Sequence, residues 1–245
     1  MTIDLNADVG EGYDDLPLFP LVSSINVACG GHAGDEETMA RCVAAAMRLG
    51  VAVGAHPGYP DREHMGRRAL EASDREVRAM IAEQVEALNA VTDRLGVRLA
   101  HVKPHGALYN QAAADPTLAA SVAAAVRSLG GGIRLVGLAG SSIARAAELA
   151  GVPFIAEGFA DRGYLRDGTL APRGGPRAMI DDPARAAAQA LALASGAPLE
   201  TVDGGTIRVH ADTICLHADT PGAMSLATAT RRTLEGAGIR VASPT

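Results

Sequence analysis

The sequence is almost without lysine. Of its 22 basic residues, Lys103 is the single lysine and the others are arginines. Lysine can lose a proton or present a compact point charge, which arginine cannot, so Lys103 is predicted to have a site role. The chain also lacks an excess of positive charge, with a net charge of -6 and a pI near 5.6. Nucleic acids and anionic membranes favour basic patches, so we expect neither as a partner and favour a small molecule.

Long apolar runs and paired cysteine motifs are also missing. No segment approaches the length of a spanning helix, and the first residues have neither the basic stretch nor the apolar run of a signal peptide. We therefore expect a cytoplasmic protein. The three cysteines form no metal-ligand pair, and their odd number argues against a disulfide framework. Cys42 is assigned to the core, and the role of Cys29 stays open.

Several catalytic signatures are absent too. The chain has no G-x-x-x-x-G-K-[ST] phosphate loop, no G-x-S-x-G nucleophile elbow and no H-E-x-x-H metal helix. Residues 137–142 could present backbone amides to a phosphate, although a structural turn is the simpler interpretation. Any chemistry must therefore be sought in other arrangements.

Short apolar runs alternate with amphipathic segments, a rhythm typical of βα units around a parallel sheet. Seven such runs predict a single α/β domain over residues 1–245, a (β/α) barrel that is closed or nearly so. No linker divides the chain. The predicted strands are residues 3–5, 25–28, 51–55, 99–102, 135–138, 154–156 and 214–216.

Capping signals predict where several helices begin. Ser73 and Glu76 form a capping box ahead of apolar residues at helical spacing, and Gly96 provides a stop. Three more starts place a capping residue before a proline, at Asp115, Asp182 and Thr220. Two segments break the rhythm. Residues 161–180 form either a mobile lid or an ordinary surface excursion, and residues 202–207 are predicted to form a hairpin.

Polar residues follow the predicted strands, at the end of a parallel barrel where active sites form. Asp4, Asn6 and Asp8 alternate along the first strand and would share one face. Glu11 follows in a glycine-flanked turn. Capping or turn roles explain one of these four residues easily and all four poorly.

Histidines recur at the same end of the predicted barrel. His32 lies in a glycine-rich turn without an apolar face to pack against, while the nearby Asp35 is equally suited to capping a helix. His101, Lys103 and His105 alternate and would point one way, unless the segment turns outward and only one residue matters. Such a buried cationic cluster suits acid and base catalysis or the binding of a carboxylate or phosphate. The remaining polar residues at strand ends are Asn26, His56, Tyr109, Asn110, Glu157, Asp161, Arg162, His217 and Asp219, and Arg173 lies in the possible lid.

Several long strings, in order, resemble the lactam-utilisation (LamB/YcsF) family. They are I-D-L-N-A-D-V-G-E from residue 3, N-V-A-C-G-G-H-A-G-D from residue 26, V-G-A-H-P-G-Y-P-D from residue 53 and H-V-K-P-H-G-A-L-Y-N from residue 101. F-A-D-R from residue 159 and H-A-D-T-P-G from residue 217 extend the match. The resemblance implies a seven-stranded barrel related to the polysaccharide deacetylases. It also implies the A-subunit role in a prokaryotic 5-oxoprolinase, which opens 5-oxo-L-proline to L-glutamate with hydrolysis of ATP.

The resemblance further implies ATP with Mg²⁺ as co-substrate, B and C subunits as partners, and no tightly bound cofactor. A homo-oligomer stays possible. A five-membered lactam is a poor electrophile, and phosphorylation of its amide oxygen would activate it. Under this hypothesis Asp8 or Glu11, with His56 or His105, positions and deprotonates water, while Lys103 neutralises charge on the phosphate or the oxyanion. The predicted substrate-binding residues are Asn6, Asn26, His32, Tyr109, Asn110, Asp161, Arg162, His217 and Asp219.

Two alternatives stay open. Asp8, His32 and His56 could bind a divalent metal that activates water, which would make the protein a metal-dependent hydrolase of a related amide or acetylated substrate. The chain could instead bind 5-oxoproline without catalysis and present it to its partners. The density of titratable groups at the strand ends argues against this second alternative.

Overall fold

The computed structural model describes residues 1–217, 220 and 222–244. Its strands are β1 (Thr2–Val9), β2 (Ser24–Ala28), β3 (Ala52–His56), β4 (Leu99–Val102), β5 (Arg134–Leu138), β6 (Phe154–Phe159), β7 (Leu199–Thr201), β8 (Gly205–Ile207), β9 (Thr213–His217) and β10 (Arg240–Val241). Its helices are α1 (Glu36–Leu49), α2 (Asp74–Arg94), α3 (Gly106–Ala114), α4 (Pro116–Leu129), α5 (Ser142–Ala150), α6 (Pro183–Ser195) and α7 (Ala223–Gly236). A 3-10 helix spans Leu16–Leu21.

Seven parallel strands form a closed barrel. They follow one another in the order β1, β2, β3, β4, β5, β6 and β9, and β9 pairs with β1 to close the ring. The short β10 pairs with the first two residues of β1. Strands β7 and β8 form the predicted hairpin beside the barrel. The predicted seven-stranded barrel in a single domain is therefore confirmed.

All seven predicted strands are present, but two are longer than the apolar runs that indicated them. β1 continues to Val9 and β6 continues to Phe159. Their extra inward-facing positions include Asn6, Asp8 and Glu157, which are buried polar residues. An apolar run therefore marks only part of a strand whose inner face is polar.

Most of the predicted caps are confirmed. Ser73 and Glu76 form the capping box of α2, and Asp35 caps α1 by accepting a hydrogen bond from the amide of Thr38 at 2.8 Å. Asp115 and Asp182 cap α4 and α6 ahead of a proline, as predicted.

The prediction that α7 begins at Thr220 is wrong. Gly222 caps this helix, and the buried hydroxyl of Thr220 donates to Asp161 Oδ2 at 3.2 Å instead. Thr220 therefore contacts a residue that directly follows β6. The Thr220 hydroxyl, which the local pattern assigned to the helix cap, is used in a contact with a residue 59 positions away in the chain.

Near the amino-terminal ends of the strands, the interior of the barrel is largely polar. Asp4 accepts hydrogen bonds from the hydroxyls of Ser23, Ser24 and Thr213 at 2.6–2.7 Å. Burial raises the pKa of Asp4, and these donors partly offset that effect. The buried carboxylate of Asp4 thus has partners that compensate for the loss of water.

Apolar residues pack between the barrel and its helices, and two cysteines lie among them. Cys42 is buried in this core as predicted, and Cys29, whose role was open, is buried as well. Burial raises the pKa of the Cys29 thiol to about 12, so it stays protonated at neutral pH. Within the described residues, the helices are too short or too polar to cross a bilayer.

A glycine in β3 makes room for the interior network. A Cβ on Gly54 would overlap with the imidazole of His101, whose Nε2 donates to Asn26 Oδ1 at 2.7 Å. Gly54→Ala is therefore expected to lower the free energy of unfolding by about 1–3 kcal/mol, as overpacking does in a dense interior. Denaturant unfolding measures this loss.

Gly236→Ala is the matched control for this substitution. A Cβ at Gly236 meets open space near the end of α7, so its stability should be unchanged or slightly higher. A Gly54→Ala protein as stable as this control would contradict the packing described for β3 and β4.

Candidate active site

A cavity of about 380 Å³ opens at the carboxyl ends of the barrel strands. The loops and strand ends of the barrel mouth supply its walls, as sequence analysis predicted. Nine predicted site residues line it: Asp8, Glu11, His56, Lys103, His105, Tyr109, Asn110, Arg162 and His217. All five residues with predicted catalytic roles are among them.

The floor of the cavity is built around the buried ammonium of Lys103. Its Nζ lies 2.9 Å from both Asp8 Oδ1 and Glu157 Oε1, and 3.2 Å from Cys215 Sγ. Burial works against the charged form, but the two carboxylates raise the pKa of Lys103 well above its usual value. Lys103 is thus a fixed cation and not a proton acceptor.

Asp8 lies between this cation and an imidazole. Its Oδ1 also accepts a hydrogen bond from Asn26 Nδ2 at 2.8 Å, and its Oδ2 lies 3.3 Å from His56 Nε2. Burial opposes ionisation, yet the charges of His56 and Lys103 hold the pKa of Asp8 well below its usual range. Asp8 is therefore an ionised carboxylate that faces the cavity.

A second carboxylate, Glu11, gathers three histidines. Its Oε1 lies 3.0 Å from His32 Nε2, 3.1 Å from His105 Nδ1 and 3.6 Å from His56 Nε2. Burial disfavours the charge, but the imidazoles of His105 and His32 hold the pKa of Glu11 well below its usual range. Burial also lowers the pKa of His32 to about 4, so this ring is neutral at neutral pH. Although burial works in the opposite direction, the Asp8 carboxylate raises the pKa of His56.

The opposite side of the cavity is held by a buried aspartate. Asp161 Oδ2 accepts a hydrogen bond from His217 Nδ1 at 2.8 Å, and the ring of His217 stacks on Phe159. Despite burial, the His217 imidazole holds the pKa of Asp161 below its usual value. This pair fixes His217 Nε2 toward the cavity.

Arginines and apolar residues complete the wall. Arg162, Leu170 and Arg173 come from residues 161–180, so this segment covers part of the cavity. Arg162 is anchored there because its Nη2 donates to the carbonyl of Ala171 at 2.8 Å. The segment is thus part of the site, whether or not it moves as a lid.

Some predicted substrate-binding residues lie behind the cavity wall. Asn6 and Asn26 lie one layer below it, where the Asn26 amide donates to Asn6 Oδ1 at 2.8 Å. His32 lies behind Glu11, and Asp161 lies behind His217. The structure brings these residues into contact with site residues and not with the cavity itself. Asp219 lies outside the described residues.

Other cavity residues were not predicted to be in the site. Phe159 and Leu170 are apolar, and Arg67 belongs to a loop without a strand next to it. Arg173 was noted in the sequence but given no role. Glu157, also noted without a role, lies beneath the cavity against Lys103, and its inward position in β6 could have indicated this.

Residues 137–142 do not line the cavity. They span the end of β5, a turn and the start of α5, and the Ser141 hydroxyl donates to the carbonyl of Leu138 at 2.6 Å.

Two groups of metal-ligand atoms come together among the described residues. Within each group the ligand atoms lie within 4.8 Å of one another. The predicted metal candidates Asp8, His32 and His56 are divided between them. The first group is Glu11, His32, His56 and His105, and the second is Asp8, Cys215 and His217.

Comparison with known proteins defines first the fold and then the family. The barrel resembles that of the peptidoglycan deacetylase PdaC from Bacillus subtilis, with a TM-score of 0.50 and 11% identity over 98% of this chain and 86% of the other. The LamB/YcsF family model matches residues 3–245, and the chain belongs to this family. The resemblance predicted from the sequence strings is therefore confirmed.

Relatives match over the whole chain. Two proteins from Methylococcus capsulatus and Chloroflexus aggregans, each named as the A subunit of 5-oxoprolinase, are both 48% identical to this chain. The alignments cover 99% and 100% of this chain and 95% and 99% of the relatives. The crystal structure of a lactam utilization protein from Thermus thermophilus has 44% identity and a TM-score of 0.94, with complete coverage of both chains.

The buried ion pairs of Lys103 give a stability prediction. Lys103→Met would remove the ammonium that Asp8 and Glu157 share, and breaking a buried pair in this way costs about 3–5 kcal/mol. Adding Glu157→Gln to this variant removes one uncompensated charge and should restore part of the loss. Denaturant unfolding of both variants measures the effect.

Arg145→Met serves as the control, because its ion pair with Glu148 lies at the surface. Loss of this surface ion pair should change the free energy of unfolding by at most about 1 kcal/mol. If Lys103→Met lowers the free energy of unfolding no more than Arg145→Met does, the ion pairs of Lys103 do not stabilise the cavity floor.

Proposed function

We propose that this protein is the A subunit of a 5-oxoprolinase and opens 5-oxo-L-proline to L-glutamate with hydrolysis of ATP. The observation that carries the proposal is a small cavity in which ionised Asp8 and Glu11 contact imidazoles, opposite a wall that contains arginines. The names of the relatives support the same substrate and a complex of several subunits. We take the partners to be the B and C subunits. ATP is taken as a co-substrate with Mg²⁺.

The walls of the cavity suit the two ends of 5-oxoproline. The substrate has one carboxylate, and Arg67, Arg162 and Arg173 supply positive charge on the wall. Its ring methylenes are apolar, and Phe159 and Leu170 provide apolar contact. A volume of about 380 Å³ suits a small molecule better than a polymer.

The chemistry requires activation of the lactam. Transfer of the γ-phosphoryl group from ATP to the amide oxygen releases ADP and leaves a carbon that water can attack. Attack by a first water and cleavage of the ring C–N bond, with a proton taken up by nitrogen, give γ-glutamyl phosphate. A second water then releases phosphate and L-glutamate. The chain lacks a phosphate loop of the G-x-x-x-x-G-K-[ST] type, so the nucleotide must be bound by other means in the complex.

Asp8 is the proposed acceptor of the proton from water. It faces the cavity, it is ionised at neutral pH, and His56 lies 3.3 Å from its Oδ2. Lys103 supplies a fixed positive charge near the oxyanion or phosphate and keeps Asp8 ionised. Glu11 and His105 orient His56 from the other side.

The first test is glutamate release from 5-oxo-L-proline by the purified chain, with and without ATP and with candidate B and C subunits. We expect glutamate only when ATP and all partners are present. Release by the chain alone without ATP would contradict the proposal and favour the metal-dependent hydrolase. Several cavity residues of this chain can also be substituted together in the complex. If that complex kept full activity, the result would favour the alternative in which the chain only binds 5-oxoproline and presents it to its partners.

Asp8→Asn in the complete complex tests the assignment of the base. Turnover should fall by about 100-fold or more, the usual contribution of general base catalysis, because the amide cannot accept the proton. Asp35→Asn is the control. Asp35 also follows a strand, but it caps α1, and asparagine fills that role equally well. Turnover of Asp8→Asn within a few-fold of this control would remove Asp8 from the mechanism.

A further inference from the structure

Glu11, His32, His56 and His105 form a cluster, here called the Glu11 cluster, whose hydrogen bonds leave lone pairs facing one another. His56 Nδ1 lies 2.8 Å from the carbonyl oxygen of Lys103, and His105 Nε2 lies 2.8 Å from that of Met65. A carbonyl only accepts, so each of these nitrogens carries the proton. In the neutral rings, the lone pairs are therefore on His56 Nε2 and His105 Nδ1.

These two lone pairs point at each other and at a carboxylate. His56 Nε2 and His105 Nδ1 are 3.0 Å apart, and Glu11 Oε1 lies 3.1 Å from the latter and 3.6 Å from the former. Three acceptors at such distances, with little water to separate them, repel unless a cation lies between them. The cation is either a proton shared by the cluster or a metal ion.

Several protons are disfavoured by the way the rings pack. His32 and His105 stack face to face, with centroids 3.6 Å apart and planes within 4° of parallel. Two stacked imidazolium ions would repel strongly, so the stack favours neutral imidazoles, the form that binds metals. Because the two ring planes are parallel, their in-plane lone pairs cannot meet at one ion, and His32 Nε2 instead donates to Glu11 Oε1 at 3.0 Å. His56 meets both rings edge-on, at 5.6 Å and 4.8 Å.

The distances also match those of a tetrahedral site. Zinc bonds of about 2.0–2.1 Å place neighbouring ligand atoms about 3.4 Å apart. The three separations among Glu11 Oε1, His56 Nε2 and His105 Nδ1 are 3.1, 3.6 and 3.0 Å. Backbone carbonyls that fix the ring orientation are the usual outer support of metal-binding histidines.

The backbone around the cluster is shaped to admit the stacked rings. A Cβ on Gly58 would lie 2.9 Å from His32 Nδ1, and one on Gly66 would lie 2.8 Å from His32 Cβ. Met65, which presents its carbonyl to His105, has φ of 52°, a left-handed conformation that is unfavourable for a residue with a side chain. The strain at this position shows that the surrounding structure enforces the placement of that carbonyl.

The second group of ligand atoms is a poorer site. Asp8, Cys215 and His217 lie near one another, but the ammonium of Lys103 is 3.2 Å from Cys215 Sγ and 2.9 Å from Asp8 Oδ1. A metal cation there would be repelled by Lys103, and burial raises the pKa of Cys215 so that it stays a thiol. A cation is already present at this group in the form of Lys103.

We propose that the Glu11 cluster binds one divalent metal ion of the zinc class, through Glu11 Oε1, His56 Nε2 and His105 Nδ1, while His32 Nε2 donates to Glu11 Oε1 and supports that ligand. Two imidazoles with one carboxylate suit zinc and its neighbours better than magnesium or calcium. The site differs from the metal candidates of the sequence by containing Glu11 and His105 and omitting Asp8 and His32 as ligands. It also departs from the expectation of no tightly bound cofactor. Glu11, His56 and His105 line the cavity, so the ion would face the bound substrate.

Metal binding is tested on the full chain without an affinity tag and without lactam, nucleotide or partners. The proposal therefore succeeds or fails separately from the proposed function. Elemental analysis of protein purified without added metal, and zinc titration after treatment with a chelator, should each give about one zinc per chain. Cobalt(II) should bind in competition with zinc and give the visible bands of a tetrahedral site.

Two variants locate the site. His105→Gln and Glu11→Gln should each weaken zinc affinity by at least about 100-fold, since even residues that only support metal ligands contribute about 10 to 100-fold. His64→Gln is the matched control, because this half-exposed ring contacts Asp61 and lies outside the cluster. The melting temperature with and without zinc shows whether each variant is folded and whether zinc still stabilises it.

The wild-type measurement decides the question even if both variants fail to fold. Zinc content below about one tenth per chain, with no saturable titration by zinc or cobalt, would overturn the proposal. It would also be overturned if folded His105→Gln kept the affinity of His64→Gln, because the metal would then lie elsewhere. In that case the acceptors of the Glu11 cluster share a proton.

Discussion

The charge of Lys103 is the feature on which the interior of the barrel depends. A buried ammonium is tolerated because Asp8 and Glu157 each lie 2.9 Å from its Nζ. Removing the ammonium would leave both buried carboxylates without the positive charge that they share. The single lysine of the chain therefore sets both the stability of the barrel and the ionisation of the carboxylate that faces the cavity.

The layers below and beside this cation position the chemical groups. Asn6 and Asn26 connect Asp8 to the polar interior, and His101 completes that layer from β4. On the other side, His56 connects Asp8 to Glu11. Because each side chain has more than one partner, the geometry of the cavity floor is held by many contacts, as catalytic preorganisation requires.

Much of this arrangement could be predicted because it follows from local rules. Alternation along β1 predicts that Asn6 and Asp8 face one way, and the end of a parallel strand predicts that they approach His56. Depth within the barrel is not a local property, so Asn6 and His32 were assigned to the substrate although they lie beneath or behind other side chains. Arg67 lies in a loop, and nothing in an arginine-rich sequence distinguishes it from the other arginines. The start of α7 was wrong for the related reason that a distant carboxylate engages Thr220.

The central claim is that the lactam is opened at the floor of this cavity, between Asp8 and the arginine wall. A crystal structure of the chain with 5-oxo-L-proline tests this claim most directly. The account predicts the lactam carbonyl carbon on the side of Asp8 and His56, its oxygen toward Lys103, and the carboxylate facing Arg162 and Arg173. A substrate bound outside the cavity, or one whose carboxylate faces Asp8, would contradict it.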